Sequence, residues 1–308
     1  MNNKKRGETS TTIVSSRNLG AEYKSLVMEV PEEVSKWIRN ARPGQFVQIA
    51  CSDTDHYSPE GTFLRRPFSI ASLQTENNRV QLEVIYNVIG LGTGWMAQRK
   101  SGDPVNILAP LGNGFAQPQE KQTKVILAGG GIGIPPVLFL ADTLKKQGFE
   151  NIVGFAGMRS LSNFEYSINS DPKRDSRPLE PSLRLEQWNR SGTPSVIATD
   201  DGSYGFSGNL VEALDQYLAN HSDWTDAEIF TCGPEPMLKA MAQLAGSRNM
   251  TCHICMEAYM ACGFGVCQSC VVPVKIDKEN SDRSGDNMRY ALVCDAGPVF
   301  DAEELLWE

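Results

Sequence analysis

Apolar and polar positions change rhythm twice along this chain. Up to about residue 118, apolar residues alternate with polar ones or come in short β-branched runs. "SLVMEV", "QFVQIA", "FSIASL" and "VQLEVIYNV" are separated by Gly, Pro, Asn and charged turns. Short strands at this spacing predict a sandwich or barrel. The tempo changes near residue 124. "KVILAGG" reads as a buried strand, and "PPVLFLADTLKKQG" as an amphipathic helix opened by prolines and ended by Gly148. "NIVGFAGM", "SVIATD" and "EIFTCG" are further apolar strands, with "NLVEALDQYLAN" and "PEPMLKAMAQLAG" as helices. Strands alternating with helices predict a parallel, doubly wound sheet. From about 250 a short cysteine-rich segment follows. The expected divisions are therefore 11–118, 119–249 and 250–308, after a disordered tail over 1–10. Two polar, turn-rich stretches, 161–194 and 276–289, are expected as surface loops.

Composition narrows the class. The 308 residues, 41% hydrophobic and 21% charged, are ordinary for a soluble globular protein. A net charge of −8 leaves no surplus of Lys and Arg to neutralise phosphates, which excludes nucleic acid as the main partner. "MNNKKRGETSTT" has no apolar stretch behind it, so no secretory leader is expected. The most apolar segment, "VILAGGGIGIPPVLFLA" (125–141), is short and broken by glycines and prolines; it predicts a strand and a helix, with no membrane span. A cytoplasmic location follows, where eight cysteines serve as metal ligands or free thiols rather than disulfides.

Those cysteines carry the sharpest signal. "ACGFGVCQSC" and "YALVCDAGPV" give Cys262-x4-Cys267-x2-Cys270-x23-Cys294. This is the ligand spacing of a plant-type [2Fe–2S] centre. Two irons and two sulfides need two thiolates per iron, and a loop of Gly263, Gly265 and Ser269 can wrap its N–H groups around them. The competing reading is a structural zinc site, with Cys252-x2-Cys255 and Cys267-x2-Cys270 as knuckles and His253 nearby. Cys51 reads as a core thiol.

Four further stretches suit a dinucleotide. "LAGGGIGIPP" (127–136) joins a strand to a helix whose free N–H groups can meet a pyrophosphate, though Pro136 departs from the G-x-G-x-x-G fingerprint. "TCGPEPM" ends a later strand of the same sheet, so Cys232 would face the same crevice as Gly131 and Gly133. In "LRRPFSIAS", Arg66 is a permanently charged planar donor for a diphosphate, Phe68 offers an aromatic face and Ser69 a hydroxyl. "YNVIGLGTGWM" adds a glycine-rich turn in which Gly92 and Thr93 open a helix.

Taken in order, "RRPFS", "GLGTG", "PLGNGF", "GGGIGIPP", "TDDGSYGFSG", "TCGPEPM", "MACGFGVCQSC" and "VCDAGPVFD" resemble the electron-transfer subunits of NAD-dependent dihydroorotate dehydrogenase, within the ferredoxin–NADP reductase superfamily. The resemblance implies a Greek-key antiparallel β-barrel for FAD over 11–118, a nicotinamide-binding doubly wound sheet over 119–249 and a [2Fe–2S] lobe over 250–308. It implies that Arg66, Pro67, Phe68, Ser69, Ile85, Tyr86, Asn87, Gly92 and Thr93 hold FAD. Gly130, Gly131, Gly133, Cys232 and Gly233 would flank the nicotinamide cofactor, and Cys262, Cys267, Cys270 and Cys294 would hold the cluster. It also implies an NAD-linked oxidoreductase of pyrimidine biosynthesis, working in a heterotetramer with an FMN-containing catalytic subunit that oxidises dihydroorotate. Nothing in this chain supplies an orotate pocket or its catalytic base. Asn87 stands where the family often has Arg, and Arg159 leaves NAD against NADP open. The alternatives are a small subunit of a sulfide dehydrogenase or of an NADH-dependent ferredoxin:NADP oxidoreductase. From another class comes a zinc-stabilised binding module with a degenerate reductase fold.

Overall fold

The computed structural model describes residues 6–20, 23–52, 62–163, 178–183, 188, 191–276 and 288–307. Six strands, β1 (Gly7–Asn18), β2 (Tyr23–Val30), β3 (Phe46–Ile49), β4 (Arg66–Glu76), β5 (Arg79–Asn87) and β6 (Pro104–Leu111), close an antiparallel barrel in the order β1-β2-β5-β4-β3-β6. Alternation explains it. β5 turns Val80, Leu82, Val84 and Tyr86 inward, and β6 does the same with Val105, Ile107, Ala109 and Leu111. Short helices α1 (Glu32–Ile38) and α2 (Leu91–Ala97) lie between strands.

The expected tail over 1–10 is corrected from Gly7 onward. Residues Gly7 to Thr12 pair with β6, with Thr9 opposite Ile107 and Ser10 opposite Asn106. "GETSTT" is polar because its outward side chains face water, and it is ordered because barrel closure leaves β6 no open edge. Residues 1–5 lie outside the described residues.

The second layer is a seven-stranded sheet built from β7 (Val125–Gly130), β8 (Ile152–Met158), β9 (Ser195–Thr199), β10 (Phe206–Ser207), β11 (Glu228–Cys232), β12 (Cys252–Cys255) and β15 (Val299–Asp301). A separate hairpin pairs β13 (Val271–Lys275) with β14 (Met288–Leu292). The sheet order is β10-β9-β8-β7-β11-β12-β15. All but β15 run parallel, and β7, β8 and β9 are buried along their whole length, as strands covered on both faces must be. The sheet runs past residue 249, because β12 pairs with β11 and β15 pairs with β12. The cysteine-rich segment is thus a loop and a hairpin inserted between two strands of this sheet.

Helices α3 (Ile134–Lys146), α4 (Leu210–Asn220) and α5 (Glu235–Arg248) complete the layers. Asn209 caps α4 reciprocally: its Oδ1 accepts from Glu212 N, and Glu212 Oε2 accepts from Asn209 N. The amphipathic helix expected after "GGGIGI" is α3, and it is buried on more than one face. Phe139 packs into the barrel core, while Ile134, Val137 and Leu140 pack on the sheet. One helix therefore locks the two layers together.

The stretch 161–194 is not all surface loop. Trp188 is fully buried with its ring on Gly154, where a Cβ would come within 1.9 Å of it. Ser182 bridges to Ser195 beside it. The rest of that stretch, 164–177, 184–187 and 189–190, lies outside the described residues. So do 277–287 of the second expected loop, whose end, Met288 and Arg289, is strand β14.

Candidate functional site between barrel and sheet

The chain runs outward from β7 through β8, β9 and β10, then returns to the other side of β7 as β11. This reversal opens a crevice beyond the carboxyl ends of β7 and β11, where Cys232 sits beside Gly129 in register. The barrel faces the crevice. Two clefts result, of about 490 and 600 Å³, and Asn87 and Ile132 line both.

The first cleft gathers Arg66, Pro67, Phe68 and Ser69 from β4, Ile85, Tyr86 and Asn87 from β5, Gly92 and Thr93 from α2, and Cys232. The two arginines of "RRPFS" divide their work. Arg65 is tied to Glu8 at 2.6 Å and to Asn106 Oδ1 at 2.5 Å. Arg66 donates to the backbone carbonyl of Leu64, and among the described residues no carboxylate lies in ion-pair range of it. Its charge is left for a ligand. Tyr86 is buried against Phe68, with ring centroids 5.8 Å apart, and burial raises its phenol well above the usual tyrosine value. Its hydroxyl and the Asn87 Oδ1 have no hydrogen-bond partner among the described residues. Buried polar atoms left unpaired on a cleft wall mark where a ligand's own groups complete the bonding.

Gly130 and Gly131 line the second cleft with Arg159 and Asp200. Gly133 and Gly233 line neither. Gly133 packs on the Cys232 backbone with no room for a side chain, and Gly233 packs against Met237. Their work is to let the glycine-rich turn and the end of β11 approach closely.

Sequence reasoning missed Glu257 on the first cleft. Burial raises its carboxyl above the usual range. No motif spacing points to it. Cys255, given no role from the sequence, lies beside Cys232 in register at the cleft, and its thiol donates to the Gly44 carbonyl at 3.8 Å. The neighbouring Cys255 thiol and burial hold Cys232 well above the usual thiol value. Cys51 is a buried barrel thiol, raised to about 11 by burial.

The four predicted ligands come together in two pairs linked by backbone amides. Cys267 N donates to Cys262 Sγ at 3.4 Å, and Cys294 N donates to Cys270 Sγ at 3.4 Å. Gly265 N donates to Cys294 Sγ at 3.1 Å. The Ser269 side chain and N–H, with Cys262, pull the exposed Cys267 thiol down to about 6. Burial and the adjoining Cys270 thiol push Cys294 up to about 12. Neighbouring thiols resist ionising together until cations take up the charge, so this donor set fits a metal centre. Among the described residues no three His, Cys, Asp or Glu side chains converge as a single-ion site requires. Two pairs match two irons, and Cys252, buried within β12, is no zinc knuckle.

Asn113, from "PLGNGF", fastens this segment to the barrel. Its Nδ2 donates to Ala296 O and Val299 O at 2.8 Å each, and its Oδ1 accepts from Val299 N at 2.9 Å.

A closed barrel facing the switch point of a parallel sheet, with a paired-thiol loop beside the shared cleft, defines a flavin-dependent reductase with an iron–sulfur relay, of the ferredoxin–NADP reductase kind. Residues 257–306 match the model of the iron–sulfur cluster binding domain of dihydroorotate dehydrogenase B. The chain is 33% identical to the dihydroorotate dehydrogenase B (NAD(+)) electron transfer subunit of Caldanaerobacter subterraneus subsp. tengcongensis, over 92% of this chain and 94% of that one. It is 32% identical to the subunit of the same name from Desulforamulus reducens, over 88% of each. The chain belongs to the dihydroorotate dehydrogenase B electron transfer subunit family. Among solved structures, the NADH-dependent reduced ferredoxin-NADP oxidoreductase superposes with a TM-score of 0.71 at 25% identity, covering 98% of this chain and 91% of that one. Phthalate dioxygenase reductase shares the fold, with a TM-score of 0.53 at 15% identity over 93% and 77% of the two chains. Among the described residues no helix is long and apolar enough to cross a membrane.

Proposed function

We propose that this chain carries electrons from the FMN of a cytoplasmic, dihydroorotate-oxidising partner through a [2Fe–2S] centre and FAD to NAD⁺. FAD, when bound, supplies the conversion between the single electrons of a cluster and the hydride of a nicotinamide. The chain's own residues hold and orient. Arg66 meets the diphosphate, Phe68 and Tyr86 form the wall along the ring system, and the Asn87 amide completes bonds it lacks alone. Gly130 and Gly131 bring the nicotinamide cofactor over the end of β7, close to Cys232. Asp200 lines that cleft, where a carboxylate accepts from a ribose diol and repels a 2′-phosphate, favouring NAD. Glu257, whose carboxyl burial raises above the usual range, lines the first cleft. Cys262, Cys267, Cys270 and Cys294 hold the cluster.

One observation carries this reading: the cysteine loop is inserted between two strands of the very sheet that bears the crevice, so cluster and flavin sites share a scaffold. The alternative of a subunit of an NADH-dependent ferredoxin:NADP oxidoreductase is disfavoured by the higher identity to the dihydroorotate dehydrogenase relatives. The test is the isolated flavinated chain with NADH and ferricyanide, then with dihydroorotate alone. Turnover in the first and none in the second is expected. An absence of turnover with NADH at full FAD loading would refute the proposal. Copurification of a partner carrying FMN is the matching result in the cell.

A further inference from the structure

Gln48 is an anomaly of the barrel. It lies in β3, is fully buried, and neither its Nε2 nor its Oε1 has a partner among the described residues. Buried side-chain amides are nearly always bonded, so such a group points to something that completes it. Its backbone is already used: it pairs with Pro67 of β4 and Leu108 of β6. The side chain reaches out of the barrel to the cysteine loop. A Cβ on Gly263 would fall 2.6 Å from Gln48 Cγ and 2.7 Å from Nε2, closer than any packed side chain allows. Gly263 also has φ +79, so the loop is shaped around this amide. Gly263 follows Cys262, while its other neighbour, Phe264, receives the Arg6 guanidinium from the barrel side at 5.6 Å.

The other donors to this sulfur set come from the cysteine segment itself, the backbone N–H groups of Gly265, Cys267 and Cys294, with the Ser269 hydroxyl 3.2 Å from Cys267 Sγ. The Gln48 amide is a donor that the barrel sends to this loop. We propose that Gln48 is a positioning and tuning residue whose Nε2–H donates to a sulfur of the cluster on the Cys262 side. It joins that sulfur to the strand lying beside Pro67 and Phe68 of the flavin cleft. A donor to an anionic sulfur favours the reduced, more negative cluster, so Gln48 draws electrons toward the iron pair. This rests on the cluster reading above.

The test replaces Gln48 by Met, which keeps the length and removes the N–H. In the loaded holoenzyme the equilibrium partition of electrons between cluster and FAD, read by EPR of the reduced cluster against flavin absorbance, is expected to shift about tenfold toward FAD, the worth of a hydrogen bond to a charged acceptor. The g-values should move, with iron and sulfide content unchanged. An unchanged partition and spectrum in loaded Q48M overturns the proposal. A second measurement needs no variant of Gln48. Protein labelled with ¹⁵N in glutamine side chains should show a hyperfine coupling to the reduced cluster, and the coupling should persist in Gln268→Asn. Asn tolerates the φ of 57 found at Gln268. No coupling in the wild type overturns the proposal. A flavinated wild type lacking iron and sulfide brings down the cluster reading with it, whereas a loaded protein that fails these readouts brings down only the role of Gln48.

Discussion

The flavin cleft and the cysteine loop are neighbours built in opposite ways. The cleft is walled by β4, β5 and the ends of β7 and β11, whose backbones are fixed by ladders whether or not a ligand is present. The loop from Met256 to Cys270 has no ladder of its own. It is held by N–H groups aimed at sulfur and by the contact with Gln48. A ligand fills the first site; in the second it is part of what holds the chain. Losing a ligating group should therefore cost structure in the loop and only affinity in the cleft.

The sharpest break is Cys294→Ser. It removes one of the paired thiols, and iron per chain should fall from about two to near zero while FAD content holds. Iron, sulfide and flavin analysis of one preparation reads both. Next is Asn113→Ala, which removes three side-chain bonds between the barrel and the end of the cysteine segment. At about 1 kcal/mol each, the segment should loosen by roughly 2–3 kcal/mol, seen as cluster bleaching at lower temperature than flavin release. Third, Arg66→Ala should weaken FAD binding about ten- to a hundredfold with the melting temperature of apoprotein nearly unchanged. Arg65→Ala should do the reverse, because it breaks the Glu8 and Asn106 ties. Titration with FAD and a melt of each variant separate them. If both arginines behaved alike, the division of "RRPFS" would fail.

The smallest effect is at Glu257. Its carboxyl is raised by burial, so between the ordinary carboxylate value and the raised one the folded state holds a proton the unfolded state has lost. Stability then falls as pH rises through that window. Glu257→Gln should match the wild type at about pH 3, well below the ordinary value of about 4.3, where both states are protonated. It should gain over the wild type as pH climbs, levelling off above the raised value. Melting curves from acid to neutral pH check the sign; a difference independent of pH would show that the Glu257 carboxyl titrates alike in the folded and unfolded states.

Much of this was legible because it is local. The spacing of Cys262, Cys267, Cys270 and Cys294 is written in the chain, and so are the glycine turn at 129–133 and the alternation of β5. The start of β1 was not, because "GETSTT" has polar outward residues and its partner, β6, lies about a hundred positions away. Trp188 looked like loop for the same reason: its seat is Gly154, on a strand it does not follow directly. Glu257 escaped because burial, which sets its chemistry, is not a property of its neighbours in sequence.

The sequence by itself determined the kind of chemistry. Thiolates at fixed spacing, an arginine before a rigid turn and glycines between strand and helix commit the chain to iron, a diphosphate and close backbone approach, since each rests on residue type and short-range geometry. Only the tertiary structure decided which polar groups serve those sites from afar. Gln48 meets Gly263, and Asn113 meets Val299, across separations where hydrophobic packing and sheet topology, rather than local preference, choose the neighbour.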